Sequence, residues 1–210
     1  MSIKRQRGLT IIELVLFLVI MGAAAAGIIG VLNMGAKSSA DPLRRKQAVL
    51  IAEAFMEEVQ SAGLSFCAPA DPSYGAATSP AGCGTVAAFG QRPAGAVRPY
   101  ASVADYATAP GIPERSFAGA DGVDRDVNGN ALGLDVMGNN SLGPITTTVE
   151  LNVLGPAGSP NGNGALGPTG RNIVSAANDL QVLRITIVTT YGPGATIQLD
   201  GYRTRYAPTN

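Results

Sequence analysis

The sequence predicts an α+β fold. A long N-terminal helix, one half membrane-spanning and the other amphipathic, packs on a C-terminal antiparallel β-sheet head. Three observations carry this expectation. An apolar run from Leu9 to Leu32 holds a single charge, Glu13. Apolar residues then recur at three- and four-residue intervals from Leu43 to Val59. Three segments with β-branched alternation, 145–154, 181–190 and 195–202, fill the last third of the chain.

The first run, Leu9 to Leu32, makes roughly 36 Å of helix at about 1.5 Å per residue, enough for a hydrocarbon core of roughly 30 Å. Lys4, Arg5 and Arg7 precede it. The basic flank is expected to stay cytoplasmic, with the rest of the chain on the other side. A carboxylate at mid-span costs about 2.5–3.5 kcal/mol, and less near an end. A helix N-terminus offsets about 0.3–1 kcal/mol of this. Glu13 therefore has two readings: a side chain snorkelling to the headgroups, or one held for a partner charge. A cleaved secretory signal is the alternative for the whole segment, with Ala23 to Ala26 as its cutting site. Its apolar region would span about 7–15 residues, shorter than this run. Gly22, Gly27 and Gly30 each cost the helix about 0.5–1 kcal/mol. With Ala23 and Ala26 they permit close helix packing, and local loss of helix outside lipid.

Asn33 to Ala40 is a polar junction. Asp41-Pro42 reads as an N-cap with proline at the first helical position, and these residues leave open whether the second helix continues the first. In the amphipathic helix Leu43, Ala48, Ala52, Phe55, Met56 and Val59 form the face turned to the head, while Arg44, Arg45, Lys46, Glu53, Glu57 and Glu58 fall largely elsewhere. Glycine is the stop signal near Ser61–Gly63. Cys67 and Cys83, placed beyond the membrane, are expected to form a disulfide that stabilises by roughly 3 kcal/mol. The alternative is a free buried pair. Two thiols without histidine do not complete a zinc shell.

From Thr85 to Gly143 the pattern is irregular, broken by Pro93, Pro99, Pro110 and Pro113. Tyr100 to Tyr106 reads as a short helical turn or an ordered loop. Asp124, Asp126, Asn128, Gly129, Asn130 and Asp135 fall at EF-hand-like spacing, which suggests hard-oxygen ligands for calcium. The short Asp at the twelfth position and the lack of flanking helices argue for a plain surface turn instead. In the second strand Leu183, Ile185 and Ile187 share one face and Val182, Arg184, Thr186 and Val188 the other. Tyr191–Gly194 joins the last two strands into a hairpin. Gly155 to Asn172 reads as a surface loop.

Charge balances at 15 Lys and Arg against 15 Asp and Glu. Without Lys4, Arg5 and Arg7 the balance is 12 to 15, and no basic tract remains to engage nucleic acid. There is no histidine to serve as a base, nor a serine or cysteine nucleophile with a plausible partner, so an enzyme is not expected.

Gly8, an apolar residue, Thr10 and Glu13, behind the basic leader, resemble the prepilin signal of type IV pilins and type II secretion pseudopilins. The resemblance covers about the first 32 residues. It implies a leader of residues 1–8, cutting by a prepilin peptidase between Gly8 and Leu9, and methylation of Leu9, where the family usually has Phe. It further implies an assembly helix over 9–32, an amphipathic continuation over 33–63 and a periplasmic head over 64–210. Glu13 would neutralise the new amine of the next subunit, and the partners are other pilin subunits and the inner-membrane assembly machinery. Scattered blocks (Ser39–Ala48, the glutamate-rich helix, the Cys67/Cys83 loop, Tyr100–Tyr106 and Leu199–Pro208) look like the D-type minor pilins of mannose-sensitive haemagglutinin pili. A type II secretion pseudopilin and a surface ligand-binding module are the alternatives.

Overall fold

A computed structural model describes residues 10–134, 138, 143–155, 173, 175–176 and 178–205, with backbone only for 33–41. The architecture is α+β. One helix, α1 (Ile11–Ser61), precedes a three-stranded antiparallel sheet of β1 (Thr146–Val153), β2 (Val182–Gly192) and β3 (Ala195–Thr204), in the order β1-β2-β3. The chain divides into two compact units, Met1–Arg44 and Arg45–Asn210. The division falls inside α1, so its residues from Arg45 onward belong with the sheet.

The helix does not restart at Asp41-Pro42. Pro42 lies inside α1, where it forfeits one backbone bond and crowds the preceding turn, at about 3 kcal/mol. A break would cost more: four carbonyls and four amides would lose their partners and a second nucleus would be needed. Along the second half of α1, Ala48, Ala52, Phe55, Met56 and Val59 are buried as their spacing predicts, joined by Ile51. Leu43 is not on that face; it is 69% exposed. Burial begins only at Ala48. Glu58, grouped with the charges off that face, is a second correction, because it is buried.

Helix α1 ends at Ser61 as expected, but for a different reason. Gly63 does not take the left-handed conformation of a helix-ending glycine. Its lack of a side chain matters because the Tyr74 hydroxyl sits where a Cβ would be, 2.1 Å away. That close approach lets Gly63 N–H donate to the Ala101 carbonyl (2.9 Å) and its own carbonyl accept from Val103 N–H (3.0 Å). The expected turn within Tyr100–Tyr106 is a 3₁₀ turn, Val103–Tyr106, capped by the Ser102 hydroxyl and fully buried.

In the sheet, Val149 pairs with Ile187 and Ile187 with Leu199. Leu183, Ile185 and Ile187 are wholly buried, on the one face their alternation predicts. They meet Phe55, Met56 and Val59 of α1 in a single core. Gly201 admits the helix closely, since a Cβ there would come within 2.5 Å of Gln60 and 2.9 Å of Met56. The irregular segment contributes to the sheet as well. Glu114 and Val149 exchange backbone bonds of 2.8 Å, and Gly111 N–H donates to Leu151, so the outer edge of β1 is covered.

Candidate functional site

Two features stand out: the start of α1 and a groove on the head. At the helix start, Thr10 precedes the first helical residue. Its hydroxyl and carbonyl both accept from Glu13 N–H, at 3.4 and 3.1 Å. Thr10-x-x-Glu13 is thus the spacing of a capping box, in which a threonine closes the first turn and a glutamate stands at its third position. The signal was present in the sequence as T-x-x-E. The arrangement fixes Glu13 on the first turn, where the helix dipole favours a negative charge. Gly8 and Leu9 lie outside the described residues.

Beyond Glu13, Ile11–Leu32 is long and apolar enough to cross a membrane, and none of it is buried. Fourteen large apolar side chains in this span are between 51% and 86% exposed. Removing them from water is worth on the order of 20 kcal/mol or more, which far outweighs the cost of one carboxylate near the end. A Cβ at Gly22, Gly27 or Gly30 would meet nothing within 4 Å, so each of these glycines borders open space.

The head is pinned by the Cys67–Cys83 disulfide, with Cα atoms 5.2 Å apart. Two backbone bonds flank it, Ala68 N–H to Thr85 and Ala87 N–H to Phe66, at 2.9 and 2.8 Å. Asp71 closes this loop by accepting from the amides of Ser73 and Thr85. Those amides hold its carboxyl below the usual range.

Against the same helix lies a buried polar cluster that the sequence reading missed. The Glu58 carboxylate accepts from Arg98 Nε (2.9 Å), Arg98 Nη2 (3.0 Å) and the Tyr106 hydroxyl (2.8 Å). Arg98 also donates to the carbonyls of Phe117 and Arg125, and its guanidinium stands 4.9 Å from the Phe117 ring. Burial first, and then the bond to Glu58, push the Tyr106 hydroxyl up. A signal for Glu58 existed: with Ile51, Phe55 and Ala62 it shares one helical stripe. Nothing local marked Arg98 as its partner.

Beside this cluster runs an open groove of about 650 Å³, lined mainly by apolar atoms of Leu50, Ile51, Ala54, Phe55, Val127 and Leu132. Glu57 and Asp126 border it.

The Asp/Asn turn has its own partners. Asp124 is buried and carries an ion pair to Arg115 at 2.6 Å, while its other oxygen accepts from Thr147 N–H. Asp126 accepts from the amides of Asn128 and Asn130 and from the Asn130 side chain. Gly129 takes the left-handed conformation the turn requires. A cation at Asp124 would have to displace the Arg115 guanidinium, so these residues do not fit a calcium shell as they stand. Asp135 lies outside the described residues. Among the described residues, no three His, Cys, Asp or Glu side chains gather at one point.

Set against protein-family models, curated proteins and solved structures, the chain finds no match in any of the three.

Proposed function

We propose that the chain is a minor pilin-like structural subunit of a type IV pilus, made with a leader that a prepilin peptidase removes between Gly8 and Leu9. The observation that carries this reading is an apolar helix exposed on every side with its one carboxylate fixed on the first turn. Such a surface needs lipid, or other helices like itself, around it. The subunit waits in the inner membrane with its head in the periplasm. Hydrolysis of the Gly8–Leu9 bond frees the Leu9 amine; the peptidase transfers a methyl group to it from a sulfonium-type methyl donor, one proton is released, and the methylated nitrogen is again protonated. The Glu13 carboxylate of one subunit then neutralises the ammonium of the next in a medium where either charge alone is costly. The apolar helices bundle, and the disulfide-pinned heads face outward. This role needs no catalytic residue and no cofactor.

Two measurements test it. The mature chain from sheared filaments is expected to start at Leu9, with a mass one methyl group higher. Glu13→Gln is expected to fold and insert normally yet enter filaments at no more than about a tenth of the wild-type level. A mature chain that retains residues 1–8, or normal entry of Glu13→Gln, overturns the proposal. Loss of protein secretion without loss of pili, on deletion, would move the subunit to a type II secretion system.

A further inference from the structure

The two halves of the Cys67–Cys83 disulfide stand in different surroundings. Cys67 is wholly buried, and Ala68 beside it is buried as well. Cys83 is half-buried. It closes the 3₁₀ turn Pro80–Gly82, which has no buried residue, and Gly82 and Gly84 on either side of it are exposed. Thiol–disulfide exchange is an attack by a thiolate on one particular sulfur, so it needs access to that sulfur. In the folded head a nucleophile cannot touch Cys67, but it can meet Cys83.

The backbone around the bridge has its own bonds. Cys67 and Val86 face each other in an antiparallel bridge, closed by the Ala68–Thr85 and Ala87–Phe66 hydrogen bonds. The Asp71 carboxylate accepts from the Thr85 amide from within the loop. Opening the disulfide breaks none of these, so Cys67 stays within reach of Cys83.

We propose that Cys83 is a site of reversible S-thiolation, with Cys67 as its resolving thiol. The substrate class is a low-molecular-weight thiol. Its thiolate attacks Cys83 Sγ, a new S–S bond forms there, and the bond to Cys67 breaks. Cys67 leaves as a thiolate and takes up a proton. One disulfide and one thiol stand on each side of the reaction, so no outside oxidant is needed. In the return step Cys67 gives up that proton, attacks Cys83 Sγ and expels the small thiolate. The backbone bonds that hold residues 66–68 against 85–87 make this return an intramolecular step. The inference is independent of the filament-subunit reading.

The full-length chain in detergent tests it. Cys67→Ser leaves Cys83 alone, and Cys83→Ser leaves Cys67 alone. With oxidised glutathione, Cys67→Ser is expected to form the mixed disulfide within about tenfold of the rate of a free cysteine peptide, and Cys83→Ser at least about a hundredfold more slowly. Similar rates in the two variants, or faster uptake at Cys67, would overturn the assignment. The wild type supplies an arm that needs no substitution. Its opening by reduced glutathione is expected to run at a rate that urea leaves unchanged below the unfolding transition, with the adduct mapping to Cys83 by peptide mass. A rate that climbs with urea through that range, or an adduct on Cys67, overturns it too.

Discussion

Replacing Arg98 by methionine removes the cation from a nearly dry pocket. The side chains of Arg98 and Glu58 are 10% and 6% exposed. Without Arg98, Glu58 keeps only the Tyr106 hydroxyl, and the carbonyls of Phe117 and Arg125 each lose a donor. Leaving one member of a buried pair uncompensated costs about 3–5 kcal/mol. For a unit of roughly 150–250 residues each kcal/mol moves Tm by about 2–4 °C, so the drop should be about 6–20 °C. Adding Glu58→Gln removes the stranded charge while its amide oxygen can still accept from Tyr106. The double variant should therefore recover about half of the loss, a coupling that additive sites would not show. The assay is calorimetry of the full chain in detergent at pH 7, comparing both single variants with the double. A Tm for Arg98→Met within about 2 °C of wild type would refute the reasoning, as would strict additivity of the two changes.

Other expectations are as direct. Cys67→Ser should cost the head about 3 kcal/mol, seen as an equal Tm drop for Cys83→Ser and for reduced wild type; unequal drops would point to another role for one thiol. Gly63→Ala puts a methyl 2.1 Å from the Tyr74 hydroxyl and should destabilise by about 1–3 kcal/mol. Most of that should return in Gly63→Ala/Tyr74→Phe, and thermal melts that show no rescue count against the clash. Asp71 has its folded-state pKa lowered, first by the Ser73 amide and then by that of Thr85. Its stabilising contribution is therefore present above the unfolded value of about 4 and is lost as pH falls through the folded one. Asp71→Asn should flatten acid melting of the head below about pH 4, and an unchanged acid limb would show that other carboxylates carry it.

Much of this protein is legible from local pattern. The run from Leu9 to Leu32 needs only its length and composition to read as a span. The strands at 145–154, 181–190 and 195–202 needed only alternation, and the face assigned to Leu183, Ile185 and Ile187 is dry as expected, although Val182 and Thr186 on the other face are buried too. Periodicity works where an element lies between two environments, since each side chain then reports its own side. It fails where an interaction spans the chain. Glu58 was grouped with the charges off the apolar face because Arg98, its partner, comes from an irregular loop 40 residues away. Asp124 could be read as a calcium ligand or as part of a surface turn because its spacing to Asp126 was visible, whereas its bonds to Arg115 and Thr147 were not. Gly63 looked like a helix cap, and only packing shows that Tyr74 needs the room. The sequence by itself determined which segments are helix, strand and apolar span, because those follow from neighbours a few residues apart. Only the tertiary structure decided which charges are buried and with whom, because that depends on where loops without a period return to the helix.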